Sequence, residues 1–216
     1  MNNRVNDYVA SLVPPRPPLV EEMEAFAVRS NVPIMDLVGI ESMLVQLSLF
    51  DPGRILEIGT AIGYSAIRMA HTVPRAEIVT IERDEDRYMQ ACDYVREAGL
   101  QERITVLNAD AKAAVSGVEQ YAPFDVLFID AAKGQYQSFF KLYTPLLRTG
   151  GVVLSDNVLF RGLVAEEKNV GMSKRLQSIA KKIRRYNEWL ANHPQFETRI
   201  LPIGDGLSVS IKKSNT

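Results

Sequence analysis

Two apolar stretches of this 216-residue chain each end in side chains that carry oxygen. The stretch FDVLFI is followed by Asp130 and Lys133, and the stretch GVVLS is followed by Asp156 and Asn157. If both are strands of one parallel sheet, their carboxyl ends meet at one edge. Carboxylate and amide oxygens without His or Cys favour a hard cation such as Mg²⁺ or Ca²⁺. We therefore predict a metal site at Asp130, Asp156 and Asn157, with Lys133 as candidate general base. A surface ion pair is the alternative interpretation.

A glycine-containing stretch follows an earlier apolar run. Gly59 and Gly63 lie four residues apart between Glu57 and Ser65, so the stretch is neither a G-x-G-x-x-G dinucleotide fingerprint nor a phosphate loop. Glycines at a strand-to-helix turn allow a ligand to approach the backbone closely. The acidic Glu57 would repel a phosphate and suit a cationic ligand. A plain tight turn is the alternative.

Two more carboxylates follow later apolar runs. Glu82 lies about 20 residues beyond Gly63, where nucleotide-binding α/β sheets hold ribose hydroxyls. Asp110 either caps the next helix or contacts an adenine amino group, and both roles are compatible. We therefore expect both carboxylates near a nucleotide-like ligand.

The elements that position these residues follow from the periodicity of the sequence. From Arg54 onward, short apolar runs alternate with helical patterns, which predicts a parallel sheet between helices with ligands at the carboxyl ends of its strands. A final pair of strand-like runs predicts an antiparallel hairpin at the sheet edge. The predicted strands are 54–58, 77–82, 103–107, 124–129, 151–155, 197–202 and 206–212, and the predicted helices are 63–72, 85–98, 110–120, 135–147 and 172–193.

The first 50 residues predict helices ahead of the sheet, at 6–13, 19–30 and 36–49. Pro14 to Pro18 forbid helix and favour an extended connector between the first two. Asp36 is the predicted N-cap of the third. We expect this helical extension to cover one side of the site or a subunit interface.

The composition restricts the class of protein. One cysteine, Cys92, excludes an intrachain disulfide and a cysteine-rich zinc site. No apolar run approaches the roughly 18 residues of a membrane span, so we expect no membrane partner and a cytoplasmic setting. The net charge of −1 hides a basic last quarter, because residues from Arg161 onward carry 11 Lys and Arg against 5 Asp and Glu. Seven basic residues and no acid lie within 168–185, which predicts a polyanion contact or else a solvated helix face.

Five motifs then stand out in order: EIGTAIGYSAIRMA, TIERD, NADA, FDVLFIDAAKGQY and VVLSDNVLFRG. In order and spacing they resemble the cation-dependent, S-adenosylmethionine-dependent O-methyltransferases, the family that includes catechol and caffeoyl-CoA O-methyltransferases. The similarity extends from Pro33 to the end of the chain. The motif PIM, the proline-rich N-terminus and the stretches DNVLFRGLVAE and NHPQFETRILPIGDGLSVS most closely resemble the bacterial tRNA 5-hydroxyuridine methyltransferases.

The resemblance implies a Rossmann-like, seven-stranded, mostly parallel sheet with a C-terminal antiparallel hairpin. We expect a single domain over 1–216, made of the extension 1–50 and a core over 54–216. The resemblance also implies S-adenosylmethionine and Mg²⁺ as cofactors and a homodimer with the N-terminal helices as candidate interface. By position, the implied metal ligands are Asp130, Asp156 and Asn157, the base is Lys133, and the residues at the methyl donor are Met35, Glu57, Gly59, Gly63, Ser65, Glu82, Asp110 and Asp130.

Three functions remain open at this point. The first is methylation of 5-hydroxyuridine to 5-methoxyuridine at the tRNA wobble position, with the anticodon stem-loop on the basic segment 168–185 and on Arg16 of the connector. The second is O-methylation of a small catechol or phenol, because 5-hydroxyuracil also offers adjacent oxygens. The third is a cofactor-binding or scaffold protein without catalysis.

Overall fold

The computed structural model describes residues 3–166 and 173–214. Within these residues, seven strands form one sheet: β1 (Arg54–Ile58), β2 (Glu77–Glu82), β3 (Ile104–Asn108), β4 (Phe124–Ile129), β5 (Leu147–Ser155), β6 (Phe196–Leu201) and β7 (Leu207–Lys212). Their order across the sheet is β3-β2-β1-β4-β5-β7-β6. The first five strands run parallel, whereas β7 is antiparallel to both β5 and β6. The predicted fold class is confirmed, while the division into one domain stays a prediction.

Helices cover both faces of the sheet. They are α1 (Asn3–Ser11), α2 (Pro18–Arg29), α3 (Leu37–Phe50), α4 (Tyr64–Thr72), α5 (Glu85–Glu97), α6 (Val115–Val118), α7 (Tyr136–Tyr143) and α8 (Lys174–Ala191). The last predicted helix began at residue 172, which lies outside the described residues. None of the described helices is long and apolar enough to cross a membrane.

Two predicted helices are shorter than expected. The helix predicted at 110–120 is wrong over its first half, because a turn closed by the Ala113 amide on the Asp110 carbonyl precedes the four-residue α6. Gly117 disfavours a longer helix there. The helix predicted at 135–147 ends at Tyr143, since Pro145 lacks the amide that would continue it. Leu147 is instead the first residue of β5.

The core consists of two apolar layers on opposite faces of the sheet. Successive strand residues point to opposite faces, so Ile55 of β1 packs with α2, α3, α4 and α5, whereas Leu56 and Ile58 pack with α7 and α8. All three side chains are at most 1% exposed. Because both faces are covered, the polar groups of the site can emerge only at the ends of the strands.

The N-terminal extension packs on the first of these layers. Asp36 caps α3 as predicted, since its carboxylate accepts a hydrogen bond from the Gly39 amide at 3.0 Å. Met23 of α2 and Met43 of α3 are fully buried against the sheet. The extension is therefore part of the core, and it reaches the edge of the sheet where the strands carry their polar residues.

Candidate functional site

A cavity of about 660 Å³ lies at the carboxyl ends of the parallel strands. The strand order reverses between β1 and β4, and open α/β sheets bind ligands at such a switch point. Nine of the eleven residues predicted for the site line this cavity: Met35, Gly59, Ser65, Glu82, Asp110, Asp130, Lys133, Asp156 and Asn157. The two that do not are Glu57 and Gly63.

Glu57 lies beneath the glycine loop and is fully buried. Its carboxylate accepts hydrogen bonds from the Ser65 hydroxyl and, at 2.5 Å, from the Thr80 hydroxyl. Burial raises the pKa of Glu57 to about 7, against the two hydrogen bonds, which lower it. Glu57 therefore supports the loop from below and fixes Ser65 at the cavity wall.

The two glycines serve the fold of the loop. Gly59 has a φ of +104°, and a side chain there would begin 2.0 Å from the Asp130 carbonyl oxygen of the neighbouring strand. Gly63, with a φ of +86°, precedes the first residue of α4, and a side chain there would begin 3.5 Å from the Ala91 side chain. At Gly59 the backbone just past the end of β4 makes such a close approach, while the approach of a ligand to this glycine stays a prediction.

Glu82 is a well-held acceptor at the end of β2. One carboxylate oxygen accepts the amides of Arg83 and Asp84 at 2.9 and 3.0 Å, and the other accepts the Ala61 amide at 2.9 Å. An ionised carboxylate has about four acceptor positions, so one remains for a ligand. The side chain is 8% exposed and faces the cavity, which suits a hydroxyl donor.

Asp110 and Met35 lie on other walls of the cavity. The exposed Asp110 accepts the Lys112 amide at 2.9 Å, so its carboxylate closes a turn where we had allowed a helix cap. Met35 is 4% exposed and belongs to the extended segment between α2 and α3. Pro33 and Ile34 line the cavity beside it, so the N-terminal extension supplies part of the wall.

The strand register brings the predicted metal ligands to one edge. Ile58, Ile129 and Ser155 are aligned across β1, β4 and β5. The Asp130 amide donates to the Ile58 carbonyl at 3.0 Å, and the Asp156 amide donates to the Ile129 carbonyl at 3.2 Å. The two aspartates therefore leave adjacent strands at the same level.

Burial raises the pKa of both carboxylates. Burial raises the pKa of Asp130 to about 6, although Lys133 acts in the opposite direction. Burial and the neighbouring Asp130 raise the pKa of Asp156, which is 1% exposed. A buried and a partly buried carboxylate on adjacent strand ends are the kind of donor set that a cation stabilises.

Lys133 and Asn157 complete this group. The Lys133 ammonium donates to the Asn157 side-chain oxygen, and the Asn157 amide nitrogen donates to Asp156 at 2.5 Å. Lys133 also lies 5.8 Å from the centre of the Phe160 ring. The Lys133 ammonium therefore contacts the Asn157 oxygen at the position where we predict the metal cation. The residues fit a divalent cation, provided that Lys133 turns toward a substrate.

No cluster of three His, Cys, Asp or Glu suited to a metal occurs within the described ranges. The candidate centre is instead two carboxylates and one amide. One of its three ligands is the neutral amide of Asn157, so it does not form such a cluster. The polar residues at the strand ends of the sequence nevertheless indicate this centre.

Sequence reasoning missed several cavity residues. Tyr64 lines the cavity directly after Gly63, and Arg83, Arg87 and Lys112 supply positive charge on the side of Glu82 and Asp110. The basic residues follow strand ends, so the strand-end rule could have found them. Nothing local in the sequence distinguishes Tyr64.

The basic segment lies beside the cavity on α8. Lys181, Lys182 and Arg185 are exposed, and the Lys182 ammonium lies 3.4 Å from where a side chain on Gly134 would begin, one residue from Lys133. Arg184 instead donates to the carbonyl oxygens of Val164 and Glu166. Residues 167–172, including Lys168, lie outside the described residues.

Arg16 of the connector, which we predicted to contact the RNA, forms an ion pair within the protein. Arg16 forms a two-point contact with Glu24, at 3.2 Å from Nε and 2.7 Å from Nη2. The ion pair is about four-fifths buried on both sides. Arg16 is therefore engaged within the protein, and its contact with an RNA stays a prediction.

Comparison with known proteins places these features in a family. The family model described as O-methyltransferase matches residues 11–213. A putative caffeoyl-CoA O-methyltransferase of Arabidopsis thaliana is 30% identical over 170 residues, covering 78% of this chain and 72% of the relative. The structure of a putative caffeoyl-CoA O-methyltransferase from Staphylococcus aureus has a TM-score of 0.84 and 35% identity, covering 89% and 91%. An O-methyltransferase from Bacillus cereus, solved with SAH, has a TM-score of 0.81 and 29% identity, covering 97% of both chains.

Proposed function

The chain belongs to the O-methyltransferase family, and from this premise we propose that it methylates 5-hydroxyuridine at the tRNA wobble position with S-adenosylmethionine as donor. The product is 5-methoxyuridine. The observation that carries the substrate is the position of the exposed basic face of α8, whose Lys182 lies against Gly134 beside Lys133. The candidate base Lys133 and the basic surface of α8 therefore lie next to each other.

The cavity suits the methyl donor. The related enzyme from Bacillus cereus was solved with SAH, the product that the donor leaves behind. In this chain, Glu82 retains an acceptor position for a ribose hydroxyl, and Asp110 and Met35 line the walls on either side. Buried acidic groups at the ends of β1, β4 and β5 favour a sulfonium over an anionic ligand. These features support S-adenosylmethionine rather than a nucleoside phosphate.

Asp130, Asp156 and Asn157 would hold a Mg²⁺ ion, which would supply a Lewis acid that lowers the pKa of the acceptor hydroxyl. Lys133, beside Asn157, accepts or screens the proton that leaves this hydroxyl. The acceptor oxygen forms a bond to the methyl carbon as the carbon–sulfur bond breaks, and SAH leaves. The cavity walls orient the two reactants for this in-line attack.

The RNA would bind through phosphates on α8. Lys181, Lys182 and Arg185 are exposed on this helix, and the described part of the segment holds no acid before Glu188. Phosphate contacts supply affinity that falls with salt, and single-stranded loops can present a splayed base to a pocket. An anticodon loop can therefore place its wobble base in the cavity while its backbone follows α8.

A small catechol or phenol is the second candidate substrate. It is favoured by relatives named caffeoyl-CoA O-methyltransferase in Arabidopsis thaliana and Populus kitakamiensis. The C4 and C5 oxygens of 5-hydroxyuracil are adjacent, as are the two oxygens of a catechol. The proposed metal site would therefore suit either substrate. The basic face of α8 favours the tRNA over the phenol, because a small neutral phenol has no phosphates for these side chains to bind.

We also propose that two copies associate through the N-terminal helices. Val5, Tyr8 and Val9 of α1, and Leu12 just after it, are between 39% and 65% exposed, and they recur at helical spacing along one face. Light scattering of the purified protein should give twice the chain mass, and Tyr8→Glu should give the monomer. A wild-type monomer at micromolar concentration would refute the dimer.

The substrate is tested in cells and in vitro together. In a deletion strain, mass spectrometry of tRNA should show 5-hydroxyuridine accumulating at wobble positions where 5-methoxyuridine is lost. The wild-type gene should reverse this change, and the gene with Asp156→Ala should not. Purified protein should methylate this tRNA in the presence of Mg²⁺. Ready methylation of a catechol with the tRNA left untouched would favour the second substrate, and complementation by Asp156→Ala would favour the scaffold.

A further inference from the structure

A polar network links the N-terminal extension to the cavity through Tyr64. The Tyr64 hydroxyl donates to Glu24 of α2 at 2.8 Å and accepts from Arg68 of α4 at 3.0 Å. Tyr64 itself is 2% exposed and lines the cavity as the first residue after the glycine loop. One phenol therefore touches both the cavity and the extension.

The network is closed and balanced in charge. Arg68 is 8% exposed and pairs with Glu41 of α3, while Arg16 of the connector pairs with Glu24. Two arginines thus face two glutamates around one hydroxyl. Buried charges are tolerated only when each has partners, so removing one member disturbs the others. Glu24 is the member that joins the extension to Tyr64.

We propose that Glu24 is a positioning residue of the methyl-donor site, which holds Tyr64 in the cavity wall. The inference rests on the proposed use of the cavity for S-adenosylmethionine. Its physical basis is that an anchored phenol has one orientation, whereas an unanchored ring loses its hydrogen-bond partner and the wall that it forms becomes less defined. The extension then contributes to donor binding in two ways, directly through Pro33 to Met35 and indirectly through Glu24.

The second glutamate of α2 offers a matched control. Glu22 lies on the same helix and pairs with the Tyr94 hydroxyl of α5 and with Arg29. Tyr94 packs on Phe26, and neither ring lines the cavity. Glu22 and Glu24 therefore both attach α2 to a tyrosine, but only Glu24 attaches it to a cavity residue.

The test measures SAH binding by calorimetry for wild-type protein, Tyr64→Phe, Glu24→Ala, Glu22→Ala and the double variant of Tyr64 and Glu24. We expect Tyr64→Phe and Glu24→Ala each to weaken SAH binding about tenfold, as for the loss of one charge-assisted hydrogen bond. The double variant should be little worse than either single variant, because both changes break the same contact. Glu22→Ala should keep the wild-type affinity.

Thermal unfolding of the same variants shows whether Glu24 positions Tyr64 or only attaches α2 to the rest of the fold. If α2 served only to stabilise the fold, Glu22→Ala and Glu24→Ala would change SAH affinity alike, in step with their unfolding temperatures, and the proposal would be overturned. Tyr64→Phe and Glu24→Ala variants that bind SAH within twofold of wild type would also overturn it, with the proposed function intact. A wild-type protein that binds neither SAM nor SAH would overturn both.

Discussion

Two aspartates at opposite ends of β4 have opposite surroundings. Asp125, near the start, accepts the amides of Gly53 and Arg54 at 2.8 Å each and pairs with Arg148. Asp130, just past the end, is partly buried, and Lys133 is the cation that acts on its pKa. Although partial burial acts to raise it, the pKa of Asp125 is held below its usual value by Arg148 and the two amides, whereas burial raises that of Asp130 to about 6.

The comparison separates a structural carboxylate from one available for chemistry. Asp125 has its acceptors occupied, so it ties β1, β4 and β5 together at the amino edge of the sheet. At the carboxyl edge, Asp156 is buried next to the partly buried Asp130, and its side-chain donor is the amide of Asn157 rather than a cation. A bound cation would relieve the cost of holding these two carboxylates together. The same residue type on one strand therefore serves the fold at one end and the site at the other.

The largest effect is expected at the carboxyl edge. Asp156→Ala removes a proposed metal ligand, so methyl transfer should fall on the order of 10²-fold or more, while SAH binding largely survives. EDTA should do the same to the wild-type protein, and added Mg²⁺ should restore it. Turnover of hypomodified tRNA and SAH calorimetry measure the two quantities. Activity that persists in EDTA would remove the metal from the mechanism.

The second largest effect is expected where Gly59, just past β1, meets the Asp130 carbonyl, just past β4. Gly59→Ala would place a side chain 2.0 Å from the Asp130 carbonyl at a φ of +104°, so we expect a loss of about 3 kcal/mol in the free energy of unfolding. Gly99→Ala is the matched control, because Gly99 also has a positive φ of +67° but no atom within 4 Å of the added carbon. Urea unfolding should show a loss of about 1 kcal/mol for Gly99→Ala. Equal losses would mean that strain alone, and not the close approach, matters at Gly59.

A smaller effect is expected on the basic face of α8. Changing Lys181 and Lys182 to alanine should raise the KM for tRNA about tenfold and reduce the salt dependence of tRNA binding by about two ion equivalents. Turnover of the free nucleoside should stay the same. Arg75→Ala is the control for the loss of an exposed basic residue away from the cavity, since Arg75 is exposed near the amino end of β2, where it pairs with Asp51. An equal loss with nucleoside and tRNA would place the lysines in the chemistry rather than in RNA binding.

The smallest effect is expected at the amino edge and depends on pH. The pKa of Asp125 is lowered in the folded state, so its contribution to stability is present above the ordinary value of 3.8 and is lost as the pH falls through the folded value. Asp125→Asn should therefore cost about 1–2 kcal/mol in the free energy of unfolding at pH 7 and much less near pH 3. Urea unfolding at both pH values measures the difference, with Asp93→Asn at an exposed position of α5 as control. A cost that does not change with pH would assign the effect to packing.

Glu57 shows how far strand-end reasoning reaches. The sequence placed an acid at the end of β1 and suggested that it meets a cationic ligand. In the structure it accepts from Ser65 and Thr80 beneath the loop. The alternation of residues along β1 decides which face a side chain occupies, but only the packing of the loop decides whether it reaches the cavity.

The short α6 and the connector show where local rules fail. Residues 110–120 have helical character, yet the turn at Asp110 closes on its own backbone and competes with the helix. Arg16 in the proline-rich connector was predicted to contact an RNA, and in the structure it reaches Glu24 on the next helix. In both cases a hydrogen bond that no periodicity encodes determines the outcome.

The sequence by itself determined the strands β1, β2 and β4 to the residue, the cap at Asp36, the polar residues at the strand ends and the resemblance to O-methyltransferases. These follow from local alternation and from motifs, which are properties of neighbouring residues. Only the tertiary structure decided that Gly59 meets the Asp130 carbonyl, that Glu57 lies under the loop and that Glu24 holds Tyr64. Such contacts join residues up to 71 positions apart, as between Gly59 and Asp130, and are selected by packing density and charge balance rather than by local propensity.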